Sequence, residues 1–149
     1  MPDFPDYCIR GIKKKSHFHE DTDTASSALY MPDTRTPETR ADRGSETSIN
    51  WEDDDNALNF TLQFLDEDNP TLLAFQYGAV KLPRNALDEV NNLPSTMNTI
   101  TYERHQLRLE NPYHGNIVYK AGLAQHAITM IANVLAASSS KVHRKNASK

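Results

Sequence analysis

Two histidines stand one residue apart in "KKKSHFHEDTD", where His17 and His19 follow Lys13, Lys14 and Lys15 and precede Glu20, Asp21 and Asp23. On an extended segment, residues i and i+2 point to the same side, so both imidazoles could approach one ion, with carboxylates nearby to fill further positions. Two ligands do not complete a site. The third donor would have to come from elsewhere, and His114 in "ENPYHGN", residues 110 to 116, is the candidate. There Asn111, Pro112 and Gly115 supply turn chemistry, which by itself has no need of Tyr113 and His114. If the fold brings His114 to His17 and His19, neutral imidazoles could hold a metal, or one could serve as a general base in hydrolysis.

The stretch from Gly11 through five residues to His17, Phe18 and His19 resembles the opening of the cupin motif, with Asp23 near the place where that family has a glutamate. No glycine follows at the family's spacing, and the second motif with its own histidine is missing, so no fold or activity is carried over. Cys8 is the single cysteine, which excludes an internal disulfide framework and a cysteine-cluster zinc site and fits a reducing compartment. It lies in an apolar stretch with no local activating group. Five glycines form neither a phosphate loop nor a dinucleotide fingerprint, and no nucleophile elbow occurs. No cofactor is expected.

Acidic clusters offer a different chemistry. Glu52, Asp53, Asp54 and Asp55 run together, and Asp66, Glu67 and Asp68 follow shortly after. Such runs bind cations or meet a basic partner surface. Charge is also unevenly divided: residues 1 to 75 hold 16 acidic and 7 basic side chains, residues 76 to 149 hold 4 and 9. Either the halves neutralise each other within one fold, or separate faces steer charged partners. Tyr113, His114, Asp53, Asp54 and Asp55 are the expected interaction residues.

These groups must be positioned by a domain of ordinary size. The chain has 149 residues, 38% of them hydrophobic, which suffices for one core. The expected domain spans 1–140, with a long polar loop at about 20–47 touching the body through Leu29, Tyr30 and Met31. A basic, mobile tail is expected over 141–149. "YCIRGI" at 7–12 reads as a strand with β-formers on both faces, and "SINW" at 48–51 as another. "LNFTLQF" at 58–64 alternates Leu58, Phe60, Leu62 and Phe64 with polar residues and predicts a strand. "TLLAFQYGAVKL", after the turn at 66–70, predicts its antiparallel partner. Asn85 is placed to cap a helix over 86–93, ended by Pro94. "TITYERHQLRL" at 99–109 predicts a strand with a bulge where the apolar phase shifts. "IVYK" predicts a short strand, and residues 121 to 138 an amphipathic helix on Ala124, Ala127, Ile128, Ile131, Val134 and Leu135. The architecture is α+β: a mainly antiparallel sheet of about five or six strands packed by a C-terminal amphipathic helix.

No signal segment or membrane-length apolar run is evident, so a soluble cytoplasmic protein is expected. The functional expectation is a small intracellular interaction or regulatory protein, such as an accessory subunit, an inhibitor or a mobile-element product. It would act on another protein through its surface. The alternatives are a metal-binding hydrolase using His17, His19 and His114, and a nucleic-acid-binding protein using the basic second half, including Lys141, Arg144, Lys145 and Lys149.

Overall fold

A computed structural model describes residues 4–31, 46–65, 69, 71–104, 112–120 and 122–142. Six strands form one antiparallel sheet: β1 (Tyr7–Gly11), β4 (Glu46–Trp51), β5 (Ala79–Pro83), β6 (Ile100–Arg104), β7 (His114–Tyr119) and β8 (Ser140–Val142). Their spatial order is β6-β7-β4-β1-β5-β8, and a separate hairpin pairs β2 (Phe18–His19) with β3 (Thr24–Ala25). Among the described residues there are three α-helices: α1 (Asn56–Gln63), α2 (Arg84–Asn92) and α3 (Gln125–Ala137). The expected α+β class is what the chain adopts. No described helix is long and apolar enough to cross a membrane.

β1 lies near the middle of the sheet, with Cys8 opposite both Trp51 and Leu82, and Ile9 opposite both Asn50 and Lys81. Both faces of β1 are covered, with Cys8 and Ile12 in one cluster and Ile9 in another, which is why it carries apolar residues on both parities. On one face Cys8, Ile49, Trp51, Val80, Leu82, Ile100, Ile117 and Tyr119 form the main core. Ala86, Leu87 and Val90 of α2 close it, together with Ile131, Ala132, Leu135 and Ala136 of α3. The stripe of α3 is thus rotated toward Ala132 and Ala136. Ala127, Ile128 and Val134 are only half-buried and Met130 is exposed, because the helix begins at Gln125 and packs its C-terminal half most deeply.

Leu29 and Tyr30 enter this core from a 3-10 turn over Ser27–Tyr30, where the polar loop was expected to touch the body. Ser26 starts the turn by accepting from the Ala28 amide at 3.2 Å. Arg10 holds it to the sheet: Nε donates to the Leu29 carbonyl at 2.9 Å and Nη1 to the Ser48 carbonyl at 2.8 Å. Tyr119 Oη donates to the Tyr30 carbonyl at 2.6 Å, and Tyr30 Oη shares a 2.5 Å hydrogen bond with Ser139 Oγ beyond α3. Residues 32–45 of the expected loop lie outside the described residues.

Several expected elements differ. Residues 58–64 are not a strand; 58–63 belong to α1 and Phe64 is its C-cap. The alternation of large apolar residues hid the small ones that face the sheet: Ala57 and Thr61 are buried one helical turn apart, beside Leu62. Asp54 begins the helix by accepting from the Asn56 amide at 2.9 Å. The expected hairpin partner shrinks to a single bridge between Leu65 and Leu73, and only Ala79–Pro83 joins the sheet. Pro83, not Asn85, stands at the cap position of α2. His114, Gly115 and Asn116 lie in β7 rather than in a turn, since the β4 ladder continues across them from Asn50 to Glu46. The sheet also extends past the expected domain boundary at 140, because Ser140, Lys141 and Val142 pair with Lys81, Val80 and Ala79. The phase shift expected at 105–109 and the tail at 143–149 fall outside the described residues.

Gly115 allows Trp51 to lie flat against β7. A Cβ built at that position would stand 2.3 Å from Trp51 Nε1 and 2.4 Å from the Glu103 carbonyl that the indole donates to at 3.1 Å. Gly115→Ala should therefore cost about 3 kcal/mol through overpacking and a broken indole hydrogen bond. Urea unfolding followed by Trp51 fluorescence measures it. A midpoint within error of the wild type would show that the indole does not rest on this glycine.

Candidate functional site

The three histidines do not assemble. His114 in β7 is level with Asn50 in β4, which is level with Ile9 in β1. His17 lies in a 3-10 turn beyond the far end of β1, and His19 pairs with Thr24 in the separate hairpin. Among the described residues, no three His, Cys, Asp or Glu side chains are grouped so as to hold a metal ion. The His17 pKa is pushed below the ordinary histidine value, first by partial burial and then by the positive charges of Arg10 and Lys14. Cys8 is sealed in the core, and burial raises its thiol to about 12, so it is a packing residue.

The other sequence candidates do come together. At the end of the sheet where β4 finishes and β7 begins, the Trp51 amide donates to the Tyr113 carbonyl at 2.7 Å, which places the acidic run beside Tyr113. Tyr113 Oη donates to Asp54 Oδ1 at 3.0 Å. Arg104, at the end of β6, forks onto Asp53 with contacts of 2.5 and 2.9 Å. Lys81 of β5 reaches Glu52 at 2.7 Å and lies over the Tyr7 ring. Asp55 is exposed. A shallow open depression lined by Phe4, Tyr7, Glu52 and Asp53 adjoins this corner. Phe4 in its lining packs on aromatic neighbours, with its ring 4.8 Å from Trp51 and 4.9 Å from Tyr102 between centroids.

From Tyr113 an aromatic row runs along the outer side of α1. Tyr113 and Phe60 have centroids 5.4 Å apart, Phe60 and Phe64 5.5 Å, and Phe64 and Phe75 6.4 Å with nearly parallel rings. Phe60 and Phe64 meet because they are one helical turn apart. Phe75 sits directly on Gly11, where a Cβ would stand 2.2 Å from its ring. The Ala74 amide donates to the Phe64 carbonyl at 2.7 Å and the Tyr77 amide to the Ile12 carbonyl at 3.2 Å, which fixes the 72–78 segment against both α1 and β1. The four rings are half-buried, while Leu65, Leu72 and Tyr77 beside them are 50%, 46% and 41% exposed.

Sequence reasoning found the acidic run and Tyr113 but missed Phe60, Phe64, Phe75, Leu65 and Leu72 as a surface. The signal was there: Phe60 and Phe64 at i, i+4 spacing mark one helix face once Ala57 and Thr61 are recognised as the other. Asp66, Glu67 and Asp68 lie outside the described residues, as do His105, Arg144, Lys145 and Lys149. Lys141 is in β8, paired with Glu20 and lying over the Phe18 ring, rather than in a basic tail. His126 is exposed on α3.

No family model matches the chain, and comparisons with curated proteins and with solved structures find no match.

The corner has a titration signature. A phenolate at Tyr113 would lose the hydrogen bond that it donates to Asp54 and would stand beside the charges of Asp54 and Asp53, so its pKa lies above the ordinary tyrosine value. By ultraviolet or NMR titration, the midpoint of Tyr113 should exceed about 10, and Asp54→Asn should bring it back down. An unmoved midpoint in Asp54→Asn would mean that the two side chains are not bonded in solution.

Proposed function

We propose that the chain is a small interaction protein that binds another protein chain through the aromatic side of α1. The observation that carries this reading is the unbroken row of Phe60, Phe64 and Phe75 rings, with Leu65, Leu72 and Tyr77 exposed on the segments that carry them, edged by the acidic corner at Tyr113. Scattered exposed leucines need no explanation, but a contiguous aromatic strip with a polar rim has the composition of a binding surface. Its rings are held by Gly11, α1 and the 72–78 segment, so little side-chain freedom remains to be lost on contact.

Leu65→Ser with Leu72→Ser removes exposed apolar contacts while leaving the core intact, and should change stability by no more than about 0.5 kcal/mol per site. Affinity capture from the native host with the wild-type chain should recover a partner that this double variant loses. A control at Met97→Ser and Met130→Ser, both exposed on other elements, should retain it. Equal recovery by all three chains would place binding elsewhere and refute the reading.

A further inference from the structure

The side of the sheet turned away from α1 carries a group of cations that the aromatic surface does not involve. Arg10 shares the parity of Cys8 and Ile12 in β1 and projects to the main-core face, whereas α1 packs over Ile9 and Ala79 on the other. Its Nε and Nη1 donate to the Leu29 and Ser48 carbonyls, which takes two of the five N–H groups of a guanidinium. The side chain is only half-buried, and no carboxylate among the described residues pairs with it. The turn that Arg10 holds also gathers His17 and Lys14. The Ser26 amide, where that turn begins, donates to the His17 carbonyl at 2.9 Å, and the His17 amide donates to the Lys14 carbonyl at 3.0 Å. His17 is half-buried and Lys14 exposed. Glu20, three residues after His17, is taken by Lys141 of β8. We infer that Arg10, Lys14 and His17 form a binding site for a phosphoryl group, carried by inorganic phosphate or by a small phosphate monoester.

Cations held together without an acid repel one another, and an anion between them removes that cost. The field is felt at His17, whose pKa is held down first by partial burial and then by Arg10 and Lys14. The donor types select among anions. A guanidinium presents parallel N–H groups to two oxygens, a lysine is a point charge, and an imidazole adds a further donor, so the set suits an anion with at least three acceptor oxygens and nearly two negative charges. A phosphoryl group has both, whereas a carboxylate has two oxygens and one charge. Arg10 is fixed in advance by bonds to two different elements, the 27–30 turn and β4, so its fork loses little freedom when a ligand arrives. The site is on the opposite face from the aromatic row and does not rest on the binding surface proposed above.

Inorganic phosphate is titrated into the full chain against chloride at the same ionic strength, with the His17 ring followed by NMR and its signals assigned through His17→Gln. The His17 signals should move saturably with phosphate and not with chloride. The His17 titration midpoint should rise in saturating phosphate, because a bound dianion favours the imidazolium. Lys14→Ala should weaken phosphate binding about tenfold, as the loss of one charge-assisted contact does. Arg10→Lys keeps the charge but not the fork and should weaken it too. Lys120→Ala, at an exposed cation just after β7, should leave it unchanged. Circular dichroism and thermal unfolding of each variant check that the fold is kept, and Lys14→Ala, at an exposed position, carries the test if Arg10→Lys unfolds. Glycerol phosphate should bind with the same dependence on Lys14: tighter binding than phosphate assigns the site to a monoester, weaker binding to the bare ion.

A His17 response that chloride reproduces at equal ionic strength is screening and overturns the inference. So does a phosphate affinity that Lys14→Ala leaves unchanged. Acetate acting as strongly as phosphate also overturns it, since the donor set would then answer to charge alone.

Discussion

β1 carries apolar side chains on both faces, Cys8 and Ile12 on one and Ile9 on the other, so both faces must leave water, and the rest of the molecule is arranged around that requirement. One face is met by two helices and the 3-10 turn at Leu29 and Tyr30, enough to cover it several side chains deep. The other face is met over Ile9 and Ala79 by α1, an eight-residue helix that contributes Ala57 and Leu62 to a small second cluster. A helix that short is about 12 Å long and cannot span a six-stranded sheet some five strand spacings wide. Aromatic side chains extend the cover. Phe75 caps Gly11, Phe64 stacks on Phe75, and Phe60 bridges to Tyr113. The surface that results is a by-product of covering a sheet face with too little helix, and its outer side stays apolar.

The deep face solves a different problem. Arg10 points inward from β1, by the alternation that puts Cys8 and Ile12 in the core, and a guanidinium there must satisfy its donors. It does so on the Leu29 and Ser48 carbonyls, while Tyr119 and Thr47 both donate to the Tyr30 carbonyl. No buried side-chain nitrogen or oxygen among the described residues is left without a partner. Hydrogen bonds from a charged donor are worth about 1.5–3 kcal/mol each, and losing one partner leaves the other stranded. The turn at 27–30 is therefore locked to the sheet by polar bonds as well as by the burial of Leu29 and Tyr30. Burial disfavours the charge of Arg10 and, at the fully buried Tyr30, the phenolate.

How much of this was readable from sequence depended on whether a residue's partner was local. The strand at β1, its two-sided burial, the helix near residue 86, the C-terminal helix and the anchoring role of Leu29 and Tyr30 all follow from local pattern. α1 did not, because period 2 and period 3.6 both fit a run of eight, and the alternation joins Leu58 and Leu62, which pack inward, with Phe60 and Phe64 on the outer side. Only the small pair Ala57 and Thr61 distinguishes the two, and their meaning depends on Asn50, which donates to Thr61 Oγ1 at 2.8 Å from β4. Gly115 likewise reads as a turn residue until Trp51 is placed over it. The pairing of His17 with His19 was visible, but their distance from His114 was not, since phase reports faces and not neighbours. Tyr113 and Asp54 were each singled out for composition alone; their meeting depends on the register of β4 with β7.

Both edges of the sheet are protected against the addition of another strand. On the outer side of β6, the Asn91 side chain of α2 donates to the Ile100 carbonyl at 2.8 Å and accepts from its amide at 3.1 Å, as a neighbouring strand would. Tyr102 Oη donates to Asp88 of the same helix. At the opposite edge β8 is only three residues long and carries Lys141, the kind of short, charged border that discourages strand addition. With its edges protected in these ways, the sheet leaves side-chain packing as the route by which another chain gains most area. On the aromatic side of α1 the rings are already fixed by contacts on their inner side and flanked by exposed leucines.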